Sequence, residues 1–227
     1  MRGLFVSATD TGVGKSVLSA SLLAAMARAG ESVRAFKPAV TGLQEPPETW
    51  PADHELLGAA AAMEPEAVSP YRFGPAVSPH LAAELAGVSV EPDVMLRRAR
   101  EGAPGQTLIA EGVGGLMVPL TPTYTVCDLA RALGMPLLLA ARPGLGTINH
   151  TLLSLAAARA AGLSVAAVVL TPWPREPGAM EASNRDTIER MGEVEVAALQ
   201  TIGGPSPAEL ADAGDRLPWR RWLELAA

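Results

Sequence analysis

The stretch SATDTGVGKS, Ser7 to Ser16, joins a short apolar run, Leu4-Phe5-Val6, to an alanine-rich segment that begins at Lys15. A glycine-rich turn in such a place is either a plain connection or a phosphate cradle. In a P-loop, glycines let backbone N–H groups point inward at phosphate oxygens, a lysine reaches the outer phosphates, and the following hydroxyl binds magnesium. Gly14-Lys15-Ser16 supplies that terminal triplet. With a strand before it and a helix after it, bound phosphates would meet the positive end of the helix dipole. The upstream spacing is irregular: Thr9 stands where a regular motif has glycine, and the loop is one residue longer, with Ala8 in the place of an additional glycine.

Apolar runs that read as buried strands recur at Leu4 to Ser7, Val33 to Phe36, Thr107 to Ala110, Leu137 to Ala140, Val165 to Leu170 and Val194 to Leu199. Between them lie helical stretches: Lys15 to Ala29, Asp53 to Ala62, Ser78 to Ala86, Thr125 to Leu133, Thr147 to Ala161 and Gly178 to Met191. Strands that are apolar throughout and alternate with helices predict an α/β fold, a mostly parallel sheet with helices on both faces. In SPHLAAELAG, Ser78 is expected to cap a helix, with Pro79 at its first position and Gly87 past its end. Pro/Gly-rich segments at Gln44 to Pro51, Gly102 to Gly105, Pro172 to Gly178 and Gly203 to Pro207 read as loops within one alternating pattern, so residues 1–227 are expected to form a single domain.

The composition bounds the function. The chain has 227 residues, of which 48% are hydrophobic and 19% charged, which suits a globular protein. A net charge of -6 argues against a nucleic-acid partner, which requires a Lys/Arg surface to displace counterions. The single cysteine, Cys127, excludes an internal disulfide and a multi-cysteine zinc site, and points to the cytoplasm. The apolar run that ends at Ala8 is too short for a signal peptide, and the longer runs are broken by Pro, Arg or Gly before a bilayer could be crossed, so no membrane partner is expected.

Other residues converge on the same sheet edge. The run LIAEGVGGLMVP ends a strand at Glu111, and ligands of open α/β sheets gather at the carboxyl ends of strands. A carboxylate straight after Leu108-Ile109-Ala110 is costly without a partner, and beside a P-loop it can help hold magnesium. In FKPAVTG, Lys37 follows the second strand and lands on that edge; the plain alternative is a solvated lysine. Asp53 opens the next helix, either as a simple cap or as a second carboxylate.

Together TDTGVGKS, KPAVTG, the Asp53 helix, SPH, EGVGG and GTINH occur in the order and spacing of the dethiobiotin synthetase family, which this sequence resembles from about residue 4 to about residue 162. The resemblance implies a single-domain P-loop NTPase fold working as a homodimer. It implies closure of a ureido ring on 7,8-diaminononanoate by CO2, with ATP as cosubstrate and Mg2+ as metal. The backbone of Thr11, Gly12, Val13 and Gly14, with Lys15, would hold the nucleotide phosphates. Ser16, Asp53 and Glu111 would surround the metal. Lys15 and Lys37 would neutralise the transferring phosphoryl group, with Lys37 also at the carbamate and Thr41 as a hydrogen-bond partner. The turn of Gly144, Gly146, Thr147 and Asn149 would receive the substrate's far carboxylate across the dimer interface. His54, His80 and His150 are expected to be structural, His150 as a packed or capping residue.

Three positions depart from the family pattern. Ala8 replaces a glycine, Ser16 a threonine, and Thr171, before Pro172, stands where an asparagine commonly reads adenine, which implies loose nucleotide selectivity. Two other classes share the loop. Cobyrinate-type amide synthases usually carry a glutaminase domain for which this chain has no room, and Cys127 has no glycine-flanked elbow. Partitioning ATPases carry a signature lysine at the start of the loop, where this chain has Ala8-Thr9. The C-terminal WRRWLELAA reads as a helix that packs its tryptophans on the core or on a dimer partner.

Overall fold

A computed structural model describes residues 1–45 and 50–225 of the chain. The chain order is β1 (Gly3–Ala8), α1 (Lys15–Arg28), β2 (Val33–Phe36), β3 (Ala39–Val40), α2 (Asp53–Ala61), α3 (Pro65–Val68), β4 (Tyr71–Arg72), α4 (Pro79–Ala86) and α5 (Pro92–Arg100). It continues through β5 (Thr107–Glu111), β6 (Pro119–Thr121), β7 (Tyr124–Thr125), α6 (Val126–Leu133), β8 (Leu137–Ala141) and α7 (Thr147–Ala160). The last elements are β9 (Val165–Trp173), α8 (Ala179–Gly192), β10 (Val196–Gln200), α9 (Pro207–Gly214) and α10 (Trp219–Glu224).

Six strands form one sheet in the order β10-β9-β8-β1-β5-β2, and every pairing in it is parallel. Strand β1 lies between β5 and β8, with Val6 opposite Glu111 on one side and Ala8 opposite Ala140 on the other. All the carboxyl ends therefore open on one edge, where the chain turns left or right from β1. Because both faces are covered, side chains of β1 are buried whichever way they point: Leu4 and Val6 join one core cluster and Phe5 another.

Helix α1 is buried nearly all round, from Leu18 to Met26. Its alanines and serines let neighbours approach closely. A Cβ on Gly214 of α9 would fall 2.1 Å from the Ser21 carbonyl oxygen, so only glycine permits that contact. The alanine richness of the sequence thus has a packing use. Trp219 and Trp222 of α10 are buried in the same cluster, as expected of a helix docked on the core.

All six expected strands and six expected helices are present, with ends displaced by a few residues. Strand β5 includes Glu111, and β9 runs on through Thr171 and Pro172 to Trp173. Helices α3, α5 and α9 and the short pairs β3–β4 and β6–β7 were not expected from the sequence. Ser78 does occupy the N-cap of α4, but its hydroxyl makes no capping bond. Of the expected Gln44 to Pro51 loop, residues 46–49 lie outside the described residues. No helix among the described residues is long and apolar enough to cross a membrane.

Candidate active site

The turn from β1 into α1 places a ring of unpaired donors at the sheet edge. Gly14 caps α1 in the left-handed region, with φ 95°, which a glycine adopts without strain. Among the described residues, the amide N–H groups of Gly12, Val13, Gly14, Lys15 and Ser16 have no intramolecular acceptor. Such a concentration of free donors at a helix N-terminus is an anion cradle. Thr11 differs from the rest, because its own N–H donates to Asp10 Oδ1 at 2.7 Å. The Val13 side chain is buried in the core, so only its backbone faces the cradle.

Beside the cradle, Ser16, Lys37, Asp53 and Glu111 are in mutual contact. Ser16 Oγ lies 2.7 Å from Asp53 Oδ1 and 2.8 Å from Glu111 Oε1. Lys37 Nζ donates to Glu111 Oε1 at 2.5 Å and to the Gly112 carbonyl at 3.2 Å, and it lies 2.9 Å from Asp53 Oδ2. Asp53 therefore is not a plain helix cap. The N-terminus of α2 is closed instead by Glu55, whose carboxylate accepts from the Ala52 N–H.

The charges respond to this packing. Burial would push the Lys37 ammonium down, but Asp53 and Glu111 together raise it above the ordinary lysine value. Burial would likewise raise the Asp53 carboxyl. The Lys37 charge and hydrogen bonds from Lys37 and Ser16 overcome that effect and bring it to about 2. Lys15 is pushed below its ordinary value by burial and by the Lys37 charge, and it makes no ion pair among the described residues. It is thus a desolvated ammonium facing a cavity of about 830 Å³.

The oxygen set suits Mg2+. Magnesium takes one or two carboxylates and a hydroxyl, keeps several waters and shares substrate phosphates. Ser16 Oγ has one hydrogen to offer two carboxylate oxygens, and because Glu111 Oε1 also accepts from Lys37, Asp53 Oδ1 has no donor but Ser16 among the described residues. Glu111 Oε2 is buried with no partner among the described residues, a cost that a bound cation nearby would offset.

The cavity brings most of the expected site residues together. Thr11, Gly12, Gly14, Lys15, Ser16, Lys37, Thr41, Asp53 and Thr171 line it. Glu111 lies behind them, fully buried, in contact with Lys37 and Ser16. Gly144, Gly146, Thr147 and Asn149 do not line it. They lie in the β8–α7 turn and the first turn of α7, where Asn149 is exposed, Leu145 is 95% exposed, and Thr147 is buried against Thr151 at 3.4 Å between hydroxyl oxygens. His150, in the first turn of α7, is exposed and neither packed nor capping, which corrects the expectation from sequence. His54 is buried and burial pushes it down, as befits a structural residue.

Sequence reasoning missed one wall of the cavity. Gln200, Thr201 and Ile202, at the exit of β10, and Trp50 line it with Thr171 and Pro172. The available signal was topological: a strand exit on the same edge as β1.

Comparison with known proteins fits this architecture. A family profile described as an AAA domain matches residues 2–199. Among solved structures, the chain superimposes on the MinC:MinD cell division protein complex of Aquifex aeolicus with a TM-score of 0.58 at 14% identity, covering 95% of each chain. On a ParA family ATPase from Chlorobium tepidum it scores 0.51 at 12% identity, covering 100% of this chain and 99% of that one. These likenesses establish a P-loop NTPase fold and no more. Sequence relatives are more specific. An ATP-dependent dethiobiotin synthetase BioD from Anaeromyxobacter sp. is 44% identical over 88% of this chain and 89% of its own length. Those from Mycobacterium sp. (strain KMS) and Bacillus velezensis are 38% and 36% identical, over 92% and 88% of this chain and 92% and 86% of their own lengths. With a P-loop sheet, a cradle of free amides and this degree of identity along nearly its whole length, the chain belongs to the dethiobiotin synthetase family.

Proposed function

We propose that this protein is the ligase that closes the ureido ring of dethiobiotin in biotin biosynthesis, from 7,8-diaminononanoate, CO2 and ATP. The carrying observation is the contact cluster of Ser16, Lys37, Asp53 and Glu111 beside the unpaired amides of Gly12 to Ser16.

One substrate amine adds to CO2 and loses a proton to give a carbamate. A carbamate oxygen attacks the γ-phosphorus and the bond to the ADP oxygen breaks, leaving a carbamic-phosphoric anhydride. The second amine then attacks the carbonyl carbon, sheds a proton and expels phosphate, and the ring is closed. Little acid-base work falls to side chains, so positioning and charge neutralisation supply the catalysis. The amides of Gly12 to Ser16 and the Lys15 ammonium hold the nucleotide phosphates. Lys37, kept charged by Asp53 and Glu111, faces the transferring phosphoryl group and the carbamate. Thr41 offers a hydrogen bond from the same cavity wall. Ser16, Asp53 and Glu111 would hold Mg2+, which when bound neutralises phosphate charge.

A cavity that the β8–α7 turn does not reach supports a dimer in which Gly144, Gly146, Thr147 and Asn149 of one subunit face the substrate of the other. The chain would work as one domain and in the cytoplasm. The test is direct: protein, diaminononanoate, bicarbonate and Mg-ATP are mixed and the carbonyl-bridged product is sought by mass spectrometry. Nucleotide hydrolysis without that product would favour a switch-type ATPase or an amide synthase instead.

A further inference from the structure

Arg142 lies just past the end of β8, outside the cavity, and its Nη2 donates to the Thr11 carbonyl at 3.1 Å. Among the described residues the guanidinium makes no ion pair, so this is where its charge is directed. We propose that Arg142 is a positioning residue for nucleotide binding: its hold on the outward Thr11 carbonyl aims the Gly12 N–H into the phosphate cradle.

The C=O of Thr11 and the N–H of Gly12 belong to one planar trans unit and point in opposite directions. Fixing the carbonyl on the outer side therefore fixes the N–H on the inner side, where Gly12 lines the cavity. Gly12 sits at φ 69°, a conformation with little steric restraint of its own in glycine, so an external tie is needed to hold it. The other backbone polar group of Thr11 is tied as well, by its N–H to Asp10 Oδ1. Both ends of the Thr11 unit are thus held by side chains before any ligand arrives.

Arg142 is itself anchored. The next two carbonyls, of Pro143 and Gly144, accept hydrogen bonds from Asn184 Nδ2 at 2.9 and 3.2 Å, and Asn184 is buried in α8. The loop that carries Arg142 is therefore fixed to the body of the fold. An exposed but well-anchored arginine can pre-order a flexible loop, and pre-ordering improves affinity by removing conformational cost from the binding step.

The inference rests on the proposed nucleotide role of Thr11 to Ser16, and calorimetry separates the two. Mg-ADP is titrated into the wild type, Arg142→Ala and Arg142→Lys. The expected result is a Kd about tenfold weaker for Arg142→Ala, and within about threefold of wild type for Arg142→Lys, since lysine keeps a cationic donor. In turnover assays KM for ATP should rise in parallel while kcat stays within about threefold, the pattern of lost ground-state and transition-state binding alike. The melting temperature without nucleotide should stay within about 2 °C, because the bond is at the surface. A wild type that fails to bind Mg-ADP would overturn the proposed function and this inference with it. Normal binding by Arg142→Ala would overturn the inference alone. So would a kcat loss above about a hundredfold at unchanged Kd, which would place Arg142 at the reacting phosphate.

Discussion

The Lys37 ammonium, 2% exposed, lies 2.5 Å from the carboxylate of Glu111, which is fully buried. Two opposite charges have been withdrawn from water together, one from the exit of β2 and the other from the last residue of β5, the adjacent strand. The pair is costly to bury and more costly to break, since removing one partner leaves the other uncompensated. Lys15, which lines the same cavity, has no such partner among the described residues and is held below its ordinary pKa. The two lysines look alike as sequence signals, but they stand on opposite sides of the stability balance.

Lys37→Ala is therefore expected to abolish turnover and also to destabilise the fold by about 3–5 kcal/mol, the cost of orphaning a buried partner. Lys15→Ala should abolish turnover with a stability change under about 1 kcal/mol, because a desolvated, unpaired ammonium is removed with it. Urea unfolding followed by circular dichroism reads the contrast. Equal midpoints for the two variants would show that Glu111 does not depend on Lys37, and full activity of Lys37→Ala would remove that residue from the mechanism.

The same cluster sets an acid limit. The Asp53 carboxyl is held at about 2, below its value in an unfolded chain of about 3.9. A depressed carboxyl contributes stability that is complete above the unfolded value and is lost as pH falls through the folded one. The window is thus about pH 4 down to about pH 2, using those two values. Since the Asp53 side chain is 43% exposed, screening reduces the contribution to the order of 1 kcal/mol. Lys37 acts with the opposite sign: its raised pKa gives stability that is present below the unfolded lysine value and lost as pH rises through the folded one. Unfolding curves of the wild type and Asp53→Asn should therefore converge as pH falls from 4 to 2, on the scale of those pKa values. Parallel curves across that range would contradict the assignment.

How much of this was readable from residues alone depends on burial. The six sheet strands are legible because a strand covered on both faces is apolar at every position, as in Leu137 to Ala141. The end of β9 is not, because Thr171 and Pro172 interrupt the apolar run and proline usually argues against a paired strand. Helix α5 is hidden because Arg97, Arg98 and Arg100 dilute a face on which only Met95 and Ala99 are buried. In the site, Lys15, Ser16, Lys37, Asp53 and Glu111 are legible because each is a charge or hydroxyl placed where a strand or helix boundary aims it at one edge. The wall made by Gln200, Thr201 and Ile202 carries no charge, its Thr201 hydroxyl donates to the Trp173 carbonyl, and it follows only from β10 lying in the same parallel sheet.

That wall bears on nucleotide choice. Thr171 lies against the P-loop, its Oγ1 3.1 Å from the position a Cβ on Gly14 would take, and it shares the cavity with Pro172, Thr201 and Ile202. A site that reads a base through a dedicated amide rejects other bases strongly, whereas one whose lining amide, Gln200, is already engaged by Arg216 does so weakly. CTP and GTP are expected to support turnover with kcat/KM within about tenfold of ATP. A preference for ATP above about a thousandfold in a steady-state comparison would show that other groups do the reading.

The sharpest test concerns the second subunit. Gly146 opens α7 at φ 91°, and nothing among the described residues lies within 4 Å of a Cβ built on it. A β-branched residue at that angle is strained but meets no steric clash, so Gly146→Val should shift the β8–α7 turn while leaving the core intact. If that turn serves the neighbouring subunit, Gly146→Val and Lys15→Ala homodimers are each inactive for different reasons. A mixed dimer then contains one site with both residues intact and one with neither. After the two variants are mixed and allowed to exchange subunits, random pairing should restore about a quarter of wild-type activity, since half the dimers are mixed and each has one working site. Turns that serve only their own subunit would give no recovery, because every site would still lack one of the two residues.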